Sequence, residues 1–233
     1  MSNDKQMGPP EAIISGAGAG VVAANLAGLS GIPLLLKNKS LRTDLDAQES
    51  QKLREILGAK NIRVEPRASE LASHFDPYSQ TVRANPRSYV FGHELGHATG
   101  LMGKNKWLGT AGAFLTHNIG GPVIASAIRG MNSANKAYAA KTGNSEDHSK
   151  ALDYASKLTQ LGTGLQLAEE CQATIRALDA IRKIQGNAGA LRAAKILIPA
   201  LGTYGAGAVG AHAVVPYMGR RIGEYGARNI ERE

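Results

Sequence analysis

The run His93-Glu94-Leu95-Gly96-His97 constrains this chain more than any other feature. Two histidines four positions apart on an α-helix project from one face, one turn apart, so both imidazoles can reach a common point. The run therefore predicts a helix, opening near Pro86. Its flanks, Tyr89, Val90 and Phe91 before and Ala98 after, suit a helix and set an apolar face beside the histidine face. With six histidines and twelve glutamates in 233 residues, roughly one chance match in a hundred such chains is expected, so the spacing carries information.

The chemistry this spacing suits is tetrahedral zinc, with His93 and His97 as ligands. Glu94 follows the first ligand directly. It cannot easily chelate the same ion, but it can reach a water that the ion polarises, as general base and then as proton shuttle to a leaving amine. A hydrolytic site needs a third protein ligand. The extended HExxHxxGxxH pattern is absent: Gly100 matches its glycine, but Gly103 stands where a third histidine would be. The best source is Leu167-Ala168-Glu169-Glu170-Cys171-Gln172-Ala173, where adjacent carboxylates sit on an amphipathic background. Acids in so apolar a setting are costly unless a cation neutralises them, which leaves Glu169 and Glu170 as candidates.

Around the motif, Ser40 or Thr43 can cap a helix running to about Leu57 and ended by Gly58. A strand is expected over Ile62–Glu65. A hairpin should follow, with arms near Ser73–Phe75 and Thr81–Arg83 and a turn through Asp76, Pro77 and Tyr78. Thr81, Val82 and Arg83 are read as an edge to which an extended peptide substrate adds. Downstream, Ser149–Ala168 reads as a helix interrupted at Gly162 and Gly164, continuing through Glu169–Gln185 to Gly186.

Three stretches have lengths that match a bilayer: Ala12–Leu36, 25 residues without a charge; Trp107–Ile128, 22 residues with only His117 titratable; and Ile196–Gly219, 24 residues with only His212. They are rich in Ala and Gly, and spacings such as Gly16 with Gly20 and Ala206 with Gly210 suit close helix contact. The expected architecture is α+β and mostly helical: zinc-binding helices, a small β-hairpin, and three to four Ala/Gly-rich hydrophobic helices in a membrane. Along the chain this gives a hydrophobic helix in 1–36, the hairpin and motif in 37–106, hydrophobic segments and the third-ligand helix in 107–195, and a hydrophobic helix with a basic tail in 196–233, all one integrated domain. Ala-rich helices buried in a soluble bundle are the alternative.

The net charge of +8 does not point to nucleic acid. Twelve of the 27 Lys and Arg residues lie between Lys37 and Lys106 among acids, and no basic helix face is interleaved with stacking aromatics. Lipid is the expected non-substrate partner. The single Cys171 forms no internal disulfide, and Asp4 and Lys5 do not make the basic start of a cleavable signal.

The stretch Phe75-Asp76-Pro77-Tyr78-Ser79-Gln80-Thr81-Val82-Arg83, then His93 to His97, then Glu170-Cys171-Gln172-Ala173-Thr174-Ile175-Arg176-Ala177-Leu178 resembles the YugP-like membrane neutral zinc metallopeptidases, and more distantly the HtpX-like membrane gluzincins. The resemblance covers roughly Leu41 to Val209 in order and spacing. It implies a four-span membrane protein, a zinc-dependent endopeptidase acting on polypeptide, and Glu170 as third ligand. Gln172 stands where the family pattern usually carries an Asp able to orient a ligand histidine. If the chain crosses back before Glu170, segments 37–106 and 169–195 share a side and hold 17 of the 27 basic residues, which places the site in the cytoplasm.

Weaker candidates complete the reading. His117, Arg176, His74, His148, His212 and Tyr154 are candidates for a ligand or for stabilising a tetrahedral oxyanion, His117 being the first to test. Gly205-Ala206-Gly207-Ala208-Val209-Gly210 matches a dinucleotide-binding fingerprint, but Pro199 and its Ala-rich flank argue against a preceding strand. The rival function is a catalytically inactive membrane or assembly protein that keeps a structural zinc site.

Overall fold

The computed structural model describes residues 14–18, 44–67, 73–105, 107, 120–143 and 149–228. These fall into two compact units, one drawn from 31–115 and 165–205, the other from 1–30, 116–164 and 206–233. The architecture is α+β, mostly helical, with one three-stranded sheet.

The first unit begins with α1 (Ala47–Ile56). Asp46 caps it, and Glu49 returns a bond to the Asp46 amide, so the two satisfy each other's exposed backbone donors. The helix therefore starts later than Ser40 or Thr43 would place it, and those two residues lie outside the described ones. It ends at Gly58, whose φ of 68° is a left-handed conformation suited to glycine. Leu53 faces inward, and Ser50 donates to the Pro86 carbonyl at 2.8 Å.

Three strands follow: β1 (Arg63–Pro66), β2 (His74–Asp76) and β3 (Thr81–Ala84). The expected hairpin forms between β2 and β3, its turn held by the Asp76 carboxylate, which accepts from the Tyr78 and Ser79 amides and the Ser79 hydroxyl. The earlier strand pairs with β3 in parallel, giving the order β1-β3-β2. This corrects the expected role of Thr81, Val82 and Arg83. Their strand is central and paired on both sides, Val82 is fully buried, and Arg83 is bound to Glu65 at 2.8 Å, so no peptide can add there.

Helix α2 (Tyr89–Ala98) carries the motif and is capped by Ser88, two residues after Pro86. The short α3 (Leu101–Lys104) follows. Helix α5 (Lys150–Val209) contributes residues 165–205 to this unit; it runs through Gly162 and Gly164 without interruption and turns non-helical at Gly186, where the sequence predicts an end. Phe91, Leu95, Leu53, Val82 and Ile181 form the core, each contributing about 1.5–3 kcal/mol by leaving water.

What brings α2 and α5 together is an absence of side chains. A Cβ on Gly96 would lie 2.6 Å from the Ala173 carbonyl oxygen, and one on Gly92 would lie 3.5 Å from the Ala177 Cβ. Small residues one turn apart on each helix thus let the backbones touch. Gln185 locks the register, accepting from the Tyr89 hydroxyl at 2.7 Å and donating to the Asp44 carbonyl at 3.0 Å.

The second unit holds a helical segment at 14–18, α4 (Gly120–Thr142), the start of α5, a π-helical turn (Gly210–Val214) and α6 (Val215–Arg228). Val215, Gly219, Gly223 and Ala227, four residues apart, are the buried face of α6. A Cβ on Gly219 or on Gly16 would come within 2.5 Å of the Gly130 carbonyl, the close contact that glycine spacing predicts. Among the described residues, no helix is long and apolar enough to cross a membrane. Ile196–Gly219 is helical, but with Pro199 and Pro216 inside it and a π turn near its end. Ala12–Leu36 and Trp107–Ile128 lie largely outside the described residues.

Candidate metal centre

His93 and His97 leave the face of α2 one turn apart, their rings edge to face with centroids 4.6 Å apart. The two Nε2 atoms are 3.1 Å apart, and Glu170 Oε2 lies 3.1 Å from the first and 3.4 Å from the second. Tetrahedral coordination with bonds of about 2.0–2.1 Å sets ligand atoms about 3.3–3.4 Å from one another. The observed triangle fits a zinc-sized ion.

The hydrogen bonding behind the triangle points the same way. Thr174 Oγ1 lies 3.2 Å from His93 Nδ1, and Glu169 Oε1 lies 3.9 Å from His97 Nδ1, an ion-pair distance at which that buried oxygen has no hydrogen-bond partner. A hydroxyl behind His93 Nδ1 and a carboxylate charge near His97 Nδ1 favour protons there once a cation takes the two Nε2 lone pairs; without a cation, protons on Nε2 are donated to Glu170. Three electron-pair donors at such spacing repel unless a cation or proton lies among them. Glu170 is 1% exposed, so solvent does not screen it.

Charge responds accordingly. Burial pushes the Glu170 carboxyl up, but the bonds from His93 and His97 outweigh it and hold it down at about 2. Burial pushes His97 down, yet Glu169 and Glu170, with Glu94 contributing, raise it to about 10. Without metal, a proton on His97 offsets the site's negative charge. Glu94 itself is buried on the same helical turn.

Several expected residues are elsewhere. Gln172 is exposed on α5 and faces away; the hydroxyl behind His93 belongs to Thr174. The physical reason is helical phase: about 200° separates residue 172 from 170, but only about 40° separates 174 from it. Arg176 is close by, donating to the Gly96 carbonyl at 3.1 Å, where it satisfies an acceptor near the end of α2. His74 is on β2 beside Arg83, Tyr154 is exposed beside Lys157, and His212 is in the other unit. His117 and His148 lie outside the described residues. The glycine run 205–210 ends α5 and enters the π turn, with no strand before it.

Tyr204, on α5 beyond Gly186, had no sequence signal. Although 38% of its surface is open, burial around the hydroxyl and the charges of Glu170 and Glu94 push its ionisation up, so it stays protonated within their field. Comparison with protein-family models, curated proteins and solved structures gives no match.

Proposed function

We propose that the chain is a zinc-dependent endopeptidase, as its resemblance to the YugP-like peptidases implies, with His93, His97 and Glu170 as ligands and polypeptide as substrate. The observation that supports this best is the 3.1–3.4 Å triangle of two imidazole nitrogens and a carboxylate oxygen, with Glu94 buried on the same helical turn. Bound zinc would supply Lewis acidity, polarising water and the peptide carbonyl.

The chain's own groups do the rest. Glu94, held by the rigid turn between the histidines, accepts a proton from the attacking water and returns it to the leaving amine. Thr174 orients the His93 ring from behind, and Glu169 sets a negative charge behind His97. Tyr204, whose pKa is raised by burial and by the charges of Glu170 and Glu94, is the candidate donor to developing negative charge. Membrane association belongs to the same proposal, carried by the bilayer-length stretches Ala12–Leu36 and Trp107–Ile128 and tested by fractionation with and without detergent.

Zinc content per chain and peptidase activity of the Glu94→Gln variant test the reaction. Zinc should remain bound at the parental ratio while casein cleavage is lost. A Gln variant that cleaves at the parental rate overturns the mechanism; zinc retained in a parental protein that cleaves nothing favours a structural role.

A further inference from the structure

Arg129 on α4 is 1% exposed and the largest fully buried side chain described. Its Nε donates to Thr159 Oγ1 at 3.0 Å, and its Nη2 donates to the Thr159 carbonyl and to Thr163 Oγ1 at 2.7 Å. These acceptors are neutral. They satisfy N–H groups without offsetting the charge, and Nη1 is buried with no hydrogen-bond partner among the described residues. A buried lysine can shed its proton, but arginine cannot. An uncompensated buried guanidinium is among the costliest groups a fold can carry.

The described residues of this unit offer no counter-charge. Segments 120–143, 149–164 and 206–228 contain eight Lys and Arg against two acids, Asp153 and Glu224. Asp153 is bound to Lys136 and Lys157, and Glu224 to Arg220 and Arg221. A second orphan lies one turn along α4, where Asn132 Oδ1 is buried and unpartnered. Because Asn132 Nδ2 donates to Asp153 at 3.4 Å, the amide orientation is set and the orphan is an acceptor. The π turn, a deviation often found at functional sites, carries His212, whose ionisation is pushed down by burial and by the charge of Arg129.

We propose that Arg129 and Asn132, with Thr159 and Thr163 holding the guanidinium in place, form a binding site for a phosphate monoester group. The site asks for a ligand with a charged acceptor oxygen for Nη1 and a hydroxyl donor for Asn132 Oδ1. A monoprotonated phosphate has both; a carboxylate or sulfate at neutral pH has acceptors only.

The test is thermal unfolding of the full chain in inorganic phosphate, sulfate and chloride at matched ionic strength, with 31P line widths as a direct reading of binding to the parental protein. Saturating phosphate should raise Tm by about 5 °C over chloride, sulfate clearly less. Arg129→Met should lose the response, and Arg129→Lys should weaken it. His97→Ala should keep it, because the proposed zinc centre is not involved. Co-flotation with phosphatidic-acid vesicles, lost in Arg129→Met, would identify a lipid source of the same group, whereas a response to soluble phosphate alone identifies a free one. No phosphate-specific shift or line broadening in the parental protein, an equal response to sulfate, or a response abolished by His97→Ala overturns the proposal.

Discussion

Thr174 stands one helical turn beyond Glu170 on α5, and its hydroxyl lies 3.2 Å from Nδ1 of the histidine that Glu170 meets at Nε2. One face of one helix thus supplies both the carboxylate in front of His93 and the group that holds its ring from behind. Orientation of this kind governs metal affinity as well as ring position. Thr174→Val, which keeps the shape and removes the hydroxyl, should weaken zinc binding by about 10- to 100-fold in chelator competition, and Thr174→Ser should restore most of it. A valine variant with parental affinity would remove Thr174 from the site.

The ligand triangle depends equally on how closely α2 and α5 approach. A methyl group at Gly96 would meet the Ala173 backbone at 2.6 Å, whereas at Gly92 it meets the Leu53 Cδ2 at 3.2 Å, the end of a flexible side chain. Gly96→Ala should therefore cost about 1–3 kcal/mol in denaturant unfolding and release zinc, and Gly92→Ala should cost less and keep the metal. Equal behaviour of the two variants would show that helix separation does not set the site.

Much of this was legible because it is local. The HExxH helix, the hairpin arms and the end at Gly186 follow from spacing and turn chemistry within a few residues. The cap of α1 is a miss: Ser40 and Thr43 are cap residues by type, but Asp46 caps the helix, and its capping-box spacing with Glu49 is the signal that decides it. The parallel return of β1 beside β3 was not legible, because no local pattern specifies a partner strand, and that pairing is what closes the edge at Thr81–Arg83. Glu170 needed the family resemblance to separate it from Glu169. In the structure both carboxylates face the histidines, one before His93 and one behind His97, so the ambiguity in sequence reflects two acids that both meet the pair. Tyr204 lies past the break at Gly186, beyond any spacing rule.

The charge on His97 gives the site a pH dependence of definite sign. Its imidazole is raised from 6.5 to about 10 in the folded, metal-free chain, against burial, by Glu169 and Glu170. The stabilisation from the charged ring is complete below about 6.5 and is lost as pH rises through about 10. Zinc needs the neutral ring, so metal and proton compete. Between pH 7 and 9, zinc affinity should rise with pH by about tenfold per unit, with close to one proton released per ion in calorimetry across buffers. Glu169→Gln should flatten the dependence, because it removes one of the two carboxylates that hold the proton. Affinity that is flat over this window in the parental protein would mean that His97 is already neutral.

Under the proposed function, a variant of Tyr204 would separate catalysis from metal binding. Burial and the charges of Glu170 and Glu94 raise the pKa of the Tyr204 hydroxyl, so the role proposed for it is that of a donor and not a ligand. A donor aimed at charge that develops only in the transition state lowers the barrier without tightening substrate in its ground state. Tyr204→Phe should therefore keep the zinc content and KM of the parental protein and lose about 10²- to 10³-fold in kcat. A change confined to KM would make the tyrosine a substrate contact. An unchanged kcat would mean that the hydroxyl is close to the site in charge but not in the reaction, and the stabilising donor would have to be sought elsewhere in the chain.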